Sequence, residues 1–258
     1  MATHDASLPA CPGGASGVRP GSGAMFDRIA RRYDLINLLM TGGLDRLWRR
    51  RAVKALALGS ESRVLDLATG TADVALAVAE HHGDAEVVGL DPSTEMLDIG
   101  RGKVTKAGAD RRIRLEEGEA EALPYDDDSF DGVTISFGIR NVGDRDAGLR
   151  EMARVTRPGG RVVILEGTEP RAGLLGWPSR FYMHHVIPRI GGWLSRQAEY
   201  RYLQSSIEAF PAPKDFARQM ERCGLEVLEV RPMTFGVCCL FVARPAATAD
   251  AGGEGGAA

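Results

Sequence analysis

The sequence predicts an α/β fold with a mostly parallel sheet, and three observations support this prediction. Short apolar runs alternate with segments of helical period between residues 63 and 167, as expected for parallel strands with helices on both faces. Two later apolar runs, at 225–232 and 237–244, follow each other closely enough to form an antiparallel hairpin. The composition of the 258 residues, 44% hydrophobic and 26% charged, is typical of a soluble domain and excludes a wholly disordered or fibrous chain.

The two ends of the chain differ from the rest. Residues 1–24 consist largely of Ala, Gly, Pro and Ser, and residues 245–258 end in AGGEGGAA, so both are predicted to be disordered tails. The folded domain is expected to span residues 25–244. It begins with two helices, because apolar residues recur at helical spacing on both sides of the pair Gly42-Gly43.

The alternating region supplies the predicted sheet. Strands are expected at 63–68, 86–91, 113–120, 130–138 and 160–167. Helices are expected at 73–82, 93–108 and 144–156, with a last helix near 213–222 before the hairpin. The alternation stops between about 170 and 212, where a helical insert is predicted.

Charge, hydropathy and cysteine usage exclude several classes of protein. The 32 basic and 35 acidic residues give a net charge of −3, which disfavours a general electrostatic grip on nucleic acid. No stretch approaches the length of apolar residues that a membrane span needs, and the N-terminus lacks the features of a secretory signal. A reduced, cytoplasmic protein without a metal site is predicted, because no metal-ligand spacing relates its four cysteines, Cys11, Cys223, Cys238 and Cys239.

A candidate nucleotide site follows the first two predicted strands. The first strand opens into a helix through the small residues of DLATGTAD (66–73), so a ligand can approach the backbone and the positive end of the helix. The second strand ends in Asp91, 21 residues beyond Gly70, where an acid can accept hydrogen bonds from both ribose hydroxyls. The two features together predict nucleotide binding.

The pattern of the loop restricts the kind of nucleotide. From Gly70 the residues are GTADVA rather than the GxGxxG of dinucleotide-binding folds, and no GxxxxGK[ST] phosphate loop occurs. The pattern D-x-A-x-G-x-A is similar to the D-x-G-x-G-x-G loop of class I S-adenosylmethionine-dependent methyltransferases, with alanine in place of two glycines. These alanines, Ala68 and Ala72, are expected to give up the positive φ that glycine adopts easily.

Five motifs occur in order along the folded region: YDLIN (33–37) followed by Trp48, GTADV (70–74), EALPYDDDSFD (121–131), SFGIRNV (136–142) and RVTRPGGRVVILE (154–166). Together they resemble the quinone-biosynthesis C-methyltransferases, which methylate the ring of a prenylated menaquinone or ubiquinone precursor. SFGIRNV is the most diagnostic, because generic class I methyltransferases do not carry it. The resemblance covers about residues 26–243 and implies a class I, Rossmann-like methyltransferase fold.

The resemblance also implies which residues bind the cofactor. Contacts to S-adenosyl-L-methionine are expected, position by position, at Thr71, Asp91, Glu119, Ala120 and Ser136. Asp66 and Gly70 complete the predicted cofactor-binding set. Glu119 departs from the family pattern, since Asn or Asp is usual there, and Leu44 and Asp45 stand near the place of a common His.

Methylation of an aromatic ring carbon needs a deprotonated hydroxyl beside it, because the neutral ring is a poor nucleophile. The site should therefore hold the hydroquinol and stabilise its phenolate. Arg140 and Asn141 directly follow the fourth predicted strand, beside the cofactor crevice. We predict that Arg140 stabilises the phenolate and that Asn141 orients the hydroxyl or a water. The alternative is an ordinary salt bridge of Arg140 with Asp144 or Asp146.

The insert supplies further candidates for the acceptor pocket. Either His184 or His185 is a candidate proton acceptor, and Tyr200 and Tyr202 lie in the same region. Residues 174–194 mix aromatic and basic side chains. This segment predicts a groove for the prenyl tail or a peripheral contact with the inner face of the membrane. The alternative is a buried helical subdomain. The sequence is compatible with a homo-oligomer and does not decide the oligomeric state.

The predicted activity is methyl transfer from S-adenosyl-L-methionine to a ring carbon of a prenylated quinol. The runs GTAD, DDDSFD and TFGV (234–237) favour demethylmenaquinol over the benzoquinol of the ubiquinone pathway. Two alternatives of other classes are an NAD-dependent oxidoreductase, which the spacing of Asp91 permits, and a non-catalytic, cofactor-binding partner in a quinone-synthesis complex. Nucleic-acid methylation is the weakest alternative, because the chain has neither an NPPY-type motif nor a basic excess.

Overall fold

A seven-stranded sheet forms the centre of the molecule in a computed structural model that describes residues 23–169 and 197–247. Its strands are β1 (Arg63–Leu67), β2 (Glu86–Asp91), β3 (Ile113–Glu117), β4 (Phe130–Ser136), β5 (Thr156–Gly167), β6 (Leu225–Met233) and β7 (Cys238–Pro245). Their order across the sheet is β3-β2-β1-β4-β5-β7-β6. The predicted α/β class, with a mostly parallel sheet and a C-terminal antiparallel hairpin, is confirmed.

The first five strands are parallel, with β1 at the centre between β2 and β4. The last strand, β7, is antiparallel to both of its neighbours and lies between β5 and the edge strand β6. The third strand ends at Glu117 rather than at 120, and the fifth begins at Thr156 rather than at 160. This topology brings the carboxyl ends of β1, β2 and β4 together at one edge of the sheet.

Helices connect the strands and cover the sheet. In the described residues they are α1 (Gly23–Thr41), α2 (Leu44–Ala55), α3 (Asp73–His81), α4 (Thr94–Lys106), α5 (Arg145–Val155), α6 (Gln197–Glu208) and α7 (Pro213–Arg222). Side chains cap two of them, because Ser93 accepts a hydrogen bond from the N–H of Met96 and Asp144 accepts one from the N–H of Ala147. None of the helices in these two ranges combines the length and the apolar character that crossing a membrane requires.

Two apolar cores lie on opposite faces of the sheet. Val64 of β1 belongs to the core that contains Trp48 and other residues of α2 and α3. The next residue, Leu65, belongs to the core that contains Met152 and other residues of α5 and α7. Successive side chains of a strand point to opposite faces, so neighbouring residues of β1 contribute to different cores.

The cysteine pair of β7 follows the same rule. Cys238 packs in the core beneath α2 and α3, and Cys239 packs in the core beneath α5 and α7. Both side chains are fully buried, and burial raises the pKa of the Cys238 thiol well above its usual range. The two residues are therefore packing residues on opposite faces, as their adjacent positions in a strand predict.

Several predictions concern parts of the chain outside the described residues. These parts are residues 1–22, 170–196 and 248–258, which hold most of both predicted tails and most of the insert. The aromatic and basic segment at 174–194, with His184 and His185, is among them. The described end of the insert is the helix α6.

Candidate active site

A crevice open to solvent lies at the carboxyl ends of β1, β2 and β4. Open α/β sheets bind their ligands at this edge. The crevice is lined by six of the nine residues predicted for the site, namely Gly70, Asp91, Glu119, Ala120, Ser136 and Asn141.

Three residues of the loop after β1 have left-handed backbone conformations. The φ angles are 49° at Ala68, 55° at Gly70 and 66° at Ala72. The expectation that the two alanines would give up positive φ is therefore wrong. The loop follows the path that glycine adopts easily, at a cost of roughly 1–2 kcal/mol for each alanine. Gly138 accommodates the Ala68 methyl group, because a Cβ at Gly138 would lie 2.4 Å from that methyl.

Asp91 connects this loop to the end of β2. Its Oδ2 accepts a hydrogen bond from the N–H of Gly70 at 2.8 Å, and its Oδ1 accepts one from the N–H of Ser93 at 2.9 Å. Burial nevertheless raises the pKa of Asp91 to about 6, because the buried carboxylate loses its hydration. Each carboxylate oxygen keeps a lone pair, so Asp91 can also accept hydrogen bonds from a ligand in the crevice.

Asp66 and Thr71 do not line the crevice. The buried Asp66 carboxylate accepts a hydrogen bond from Thr69 Oγ1 at 2.6 Å, and burial raises the pKa of Asp66 to about 7. Thr71 Oγ1 donates to Asp34 of α1 at 2.7 Å and accepts from Lys103 of α4 at 2.8 Å. These two side chains order the loop and fasten the neighbouring helices to it.

The helix α1 forms one wall of the crevice, to which it contributes Gly23, Phe26 and Tyr33. Two of its carboxylates hold the wall in place. Asp27 accepts a hydrogen bond from Ser93 Oγ at 2.5 Å, next to the start of α4. Lys103 of α4 lies 2.5 Å from Asp34 and 2.7 Å from Asp73, at the start of α3. The wall is therefore tied to both of the helices that follow the ligand-facing loops.

Ser136 ends β4 with its hydroxyl facing a buried environment in the crevice. Its buried Oγ has no hydrogen-bond partner within residues 23–169 and 197–247. A buried polar group without a partner costs about 1–3 kcal/mol, so a polar ligand atom placed there would remove that cost. Glu119 and Ala120, which follow β3, line the crevice beside it.

Arg140 pairs with Glu166, the next-to-last residue of β5. Its Nη1 forms an ion pair with Glu166 Oε1, and its backbone N–H donates to Glu166 Oε2 at 3.2 Å. The Arg140 side chain is 8% exposed and that of Glu166 is 0% exposed. Burial acts to lower the pKa of Arg140, but attraction to Glu166 outweighs it and holds that pKa above its usual range. The alternative prediction, a salt bridge of Arg140 with Asp144 or Asp146, is therefore wrong, because the partner is Glu166.

Asn141 lines the crevice one residue after Arg140. Its Oδ1 accepts a hydrogen bond from the hydroxyl of Tyr202 at 2.9 Å. With the oxygen so engaged, the amide nitrogen of Asn141 keeps its two donor hydrogens. The helix α6 thus reaches the site through Tyr202, whereas the side chain of Tyr200 is outside the described part of the chain.

Sequence reasoning missed Glu166, Lys103 and Glu121 as contributors to the site. Glu166 had a signal, because a carboxylate at the end of a buried apolar run needs a cation or several donors. Lys103 and Glu121 had none, since they act through contacts distant in sequence. Lys103 reaches across to α1 and α3, and Glu121 accepts a hydrogen bond from the N–H of Gly143 at 2.8 Å.

Comparison with known proteins identifies the family. The profile of the ubiE/COQ5 methyltransferase family matches residues 20–244. The chain belongs to this family. It is 46% identical over 225 residues to the ubiquinone/menaquinone biosynthesis C-methyltransferase UbiE of Syntrophotalea carbinolica, covering 86% of this chain and 94% of that relative. It is 47% identical over 220 residues to the demethylmenaquinone methyltransferase of Deinococcus radiodurans, covering 84% and 90% of the two chains.

The solved structures that resemble this ubiE/COQ5 family member support the fold. A S-adenosylmethionine-dependent methyltransferase from Aquifex aeolicus superposes with a TM-score of 0.59 over 81% of this chain and 96% of that one. The two sequences are 17% identical, so the likeness concerns the fold alone. The resemblance that the motifs predicted is confirmed at the level of both family and fold.

Proposed function

We propose that this protein transfers a methyl group from S-adenosyl-L-methionine to a ring carbon of a prenylated quinol, with demethylmenaquinol as the favoured acceptor. Membership of the ubiE/COQ5 family supports the reaction, and the name of the Deinococcus radiodurans relative supports the acceptor. The observation that carries the proposal is the single crevice in which Asp91, Ser136 and Asn141 meet. This crevice combines residues suited to bind the nucleoside part of the cofactor with polar groups suited to bind a hydroxylated ring.

The crevice fits S-adenosyl-L-methionine through residues at the ends of four strands, β1 to β4. Asp91 would accept hydrogen bonds from the ribose hydroxyls, and the left-handed backbone at Gly70 allows close approach of the cofactor. Glu119 and Ala120 would face the adenine, and Ser136 Oγ is buried without a partner in the described part of the chain. When bound, the cofactor supplies a methyl group already activated on a sulfonium.

Asn141, Tyr202, Arg140 and Glu166 would act on the acceptor. Asn141 lines the crevice, and its amide donors would orient a ring hydroxyl or a water. Tyr202 fixes that amide by donating to its oxygen. Arg140 stays protonated and stabilises the phenolate by its charge, while Glu166 positions Arg140.

A prenylated acceptor resides in a membrane. We therefore propose that the protein works in the cytoplasm, in peripheral contact with the inner face of the membrane. Its proposed partner is the prenylated quinol, as the name of the Deinococcus radiodurans relative suggests. The ubiquinone-pathway benzoquinol is the alternative acceptor, because the relatives include proteins named for both pathways.

Transfer of labelled methyl from S-adenosyl-L-methionine tests the proposal, with reduced demethylmenaquinol and the unmethylated benzoquinol precursor as separate acceptors. Product from demethylmenaquinol is the expected result. Product from the benzoquinol alone would assign the protein to the other branch. Binding of the cofactor without product from either acceptor would contradict the proposal and favour a non-catalytic partner. Binding of NADH in the same crevice would favour an oxidoreductase.

A further inference from the structure

Exposed apolar side chains gather at one corner of the molecule. Six large apolar side chains are strongly exposed in the described part of the chain, and five of them lie on α1, α2 and the turn between β6 and β7. These five, which we call the apolar tip, are Leu35, Leu38, Leu44, Leu47 and Phe235. Scattered exposed leucines are normal, but an exposed apolar cluster marks an interaction surface.

The four leucines of the tip surround the turn that joins α1 to α2. Leu35 and Leu38 are one helical turn apart near the end of α1, and Leu44 and Leu47 have the same spacing at the start of α2. The turn itself is Gly42-Gly43, with φ angles of 59° and 81°. Two helix ends with exposed leucines therefore meet at this turn.

Phe235 joins the tip through a contact between α2 and the turn after β6. Trp48 Nε1 donates to Thr234 Oγ1 at 2.9 Å, so Phe235 follows a residue that is bonded to α2. Phe235 is 61% exposed and has a φ of 58°, a conformation unfavourable for an aromatic residue. The turn thus holds a large apolar side chain in water, next in sequence to a residue that is bonded to the helix carrying Leu44 and Leu47.

Basic side chains flank the apolar tip on both helices. Those of α1 are Arg28, Arg31 and Arg32, and those of α2 are Arg46, Arg50, Arg51 and Lys54. All seven are exposed, and none forms an ion pair with a carboxylate of the described residues. The acids of the same helices are already engaged, because Asp27, Asp34 and Asp45 bind partners within the protein. This corner is therefore strongly basic in a chain of net charge −3.

The tip also lies next to the crevice. The Trp48 ring contacts the ring of Phe137, with centroids 6.2 Å apart, and Phe137 lines the crevice. The helix α1, which carries Leu35 and Leu38, also supplies the crevice wall with Tyr33. A surface that engages the tip would be close to the site where the acceptor reacts.

We propose that the apolar tip and its seven basic neighbours dock on an anionic lipid bilayer, with the leucines and Phe235 entering the interface and the basic side chains contacting acidic headgroups. This inference rests on the proposed function, since it explains how a membrane-resident quinol reaches the crevice. Charge complementarity decides for a bilayer over a second copy of the chain: two copies meeting tip to tip would bring fourteen unpaired basic side chains together, seven from each.

Sedimentation of the full chain with vesicles tests the docking surface. We expect the protein to bind phosphatidylglycerol vesicles and to bind phosphatidylcholine vesicles at least tenfold more weakly, with binding that weakens as salt is raised. The variant Leu47→Gln should bind anionic vesicles several-fold more weakly. Leu228→Gln is its matched control, because Leu228 is 44% exposed against 45% for Leu47 but lies on β6. This control should bind as the unsubstituted protein does.

The contribution of the basic side chains to vesicle binding is tested by a double variant and a matched control. Arg46→Gln/Arg50→Gln should lower binding to anionic vesicles roughly tenfold or more, since each basic side chain near such a surface contributes about 1 kcal/mol. Arg218→Gln/Arg222→Gln removes two arginines at the same spacing from α7 and should leave binding unchanged. Equal losses in both double variants would overturn the proposal, because they would reflect net charge alone.

Four results separate this inference from the proposed function. Methyl transfer to a quinol with a short, water-soluble tail should be unchanged in Leu47→Gln, whereas transfer to a long-chain quinol in vesicles should fall. Absence of vesicle binding by the unsubstituted protein would overturn the docking surface even if the soluble quinol is methylated. Dimerisation that Leu47→Gln abolishes, without vesicle binding, would assign the tip to a second copy. Failure on every quinol with intact vesicle binding would overturn the proposed function and not the surface.

Discussion

Arg140 and Glu166 form a buried ion pair that ties the turn after β4 to the carboxyl end of β5. The Glu166 carboxylate forms an ion pair with the Arg140 guanidinium and accepts a hydrogen bond from the backbone N–H of Arg140. It also accepts a hydrogen bond from the N–H of Gly167 at 2.7 Å. Because Asn141 follows Arg140 directly and lines the crevice, the ion pair fixes the residue that faces the acceptor. The structural role of the pair and the proposed role of the Arg140 charge in the reaction can be separated by substitution.

Arg140→Gln should destabilise the protein by about 3–5 kcal/mol, because it leaves the Glu166 carboxylate buried without its cation. The double variant Arg140→Gln/Glu166→Gln removes both charges and should recover about half of that loss. Methyl transfer by the double variant should stay at least tenfold below normal, since the positive charge beside the phenolate is gone. Urea unfolding and turnover measure the two effects.

Arg244→Gln is the control for this prediction. It breaks an exposed ion pair with Glu226 on the edge hairpin and should leave the free energy of unfolding almost unchanged. Full turnover by the stable double variant would show that the charge of Arg140 is not needed for the reaction.

Tyr202→Phe should lower kcat about fivefold to tenfold and leave KM for the cofactor unchanged. The substitution removes the hydrogen bond to Asn141 Oδ1, worth about 1 kcal/mol, and frees the amide to rotate. Tyr125→Phe is the matched control, because it removes a hydroxyl that donates to Glu116 at 2.8 Å outside the crevice. An equal fall in kcat for both variants would reduce Tyr202 to a packing residue.

Asp91→Asn should weaken cofactor binding by roughly 10- to 100-fold, because hydrogen bonds to a charged group contribute about 1.5–3 kcal/mol. In the unsubstituted protein, affinity should also fall as the pH drops below about 6, where Asp91 becomes protonated and loses an acceptor. Calorimetric titration between pH 5 and 8 measures both effects. Asp84→Asn, which alters an acceptor for the N–H of Glu61 away from the crevice, should leave affinity unchanged. A pH-independent affinity would contradict the ribose role of Asp91.

Ala68→Gly should stabilise the protein by about 1 kcal/mol and raise Tm by a few degrees, because glycine adopts a φ of 49° without steric cost. Ala77→Gly, a substitution in the middle of α3, should instead destabilise it by about 1 kcal/mol. Thermal unfolding of both variants compares them directly. A loss of stability in Ala68→Gly would mean that packing of the Ala68 methyl group outweighs the backbone strain.

Asp66 should make the protein without cofactor less stable as the pH rises. Its pKa of about 7 in the folded state exceeds the ordinary value near 4, so the native state holds the proton more tightly than the unfolded state. This stabilisation is complete below about pH 4 and is lost as the pH rises through 7. Asp66→Asn should therefore lose less unfolding free energy than the unsubstituted protein between pH 5 and 8. The exposed substitution Asp98→Asn should leave the loss unchanged.

The fold could be predicted because its signals are local. Each buried strand is a short apolar run, and Gly42-Gly43 separates α1 from α2 as expected. The backbone of Ala68 and Ala72 could not be predicted, because intrinsic preference opposes positive φ and the packed loop overrides it. A sequence pattern shows the conformation that a residue prefers. It does not show the neighbouring residues that hold it in a different conformation.

In the candidate site, only the positions of residues at strand ends could be predicted from the sequence. Asp91 and Ser136 terminate strands, so the topology alone places them at the crevice. The position of Thr71 could not be predicted, since it depends on Asp34 and Lys103 of two other helices. The partner of Arg140 was missed for a similar reason: β5 lies beside β4, which brings Glu166 nearer than the acids that follow in sequence.

The position of the transferred methyl group shows whether the protein is a ring C-methyltransferase. Demethylmenaquinol is incubated with the protein and with S-adenosyl-L-methionine whose methyl group carries an isotopic label, and the product is examined by carbon NMR. A labelled methyl bonded to a ring carbon is the predicted result, and Asp91→Asn should greatly reduce it at limiting cofactor. A label found only on a hydroxyl oxygen, or no labelled quinol despite cofactor binding, would show that the protein does not methylate the ring carbon.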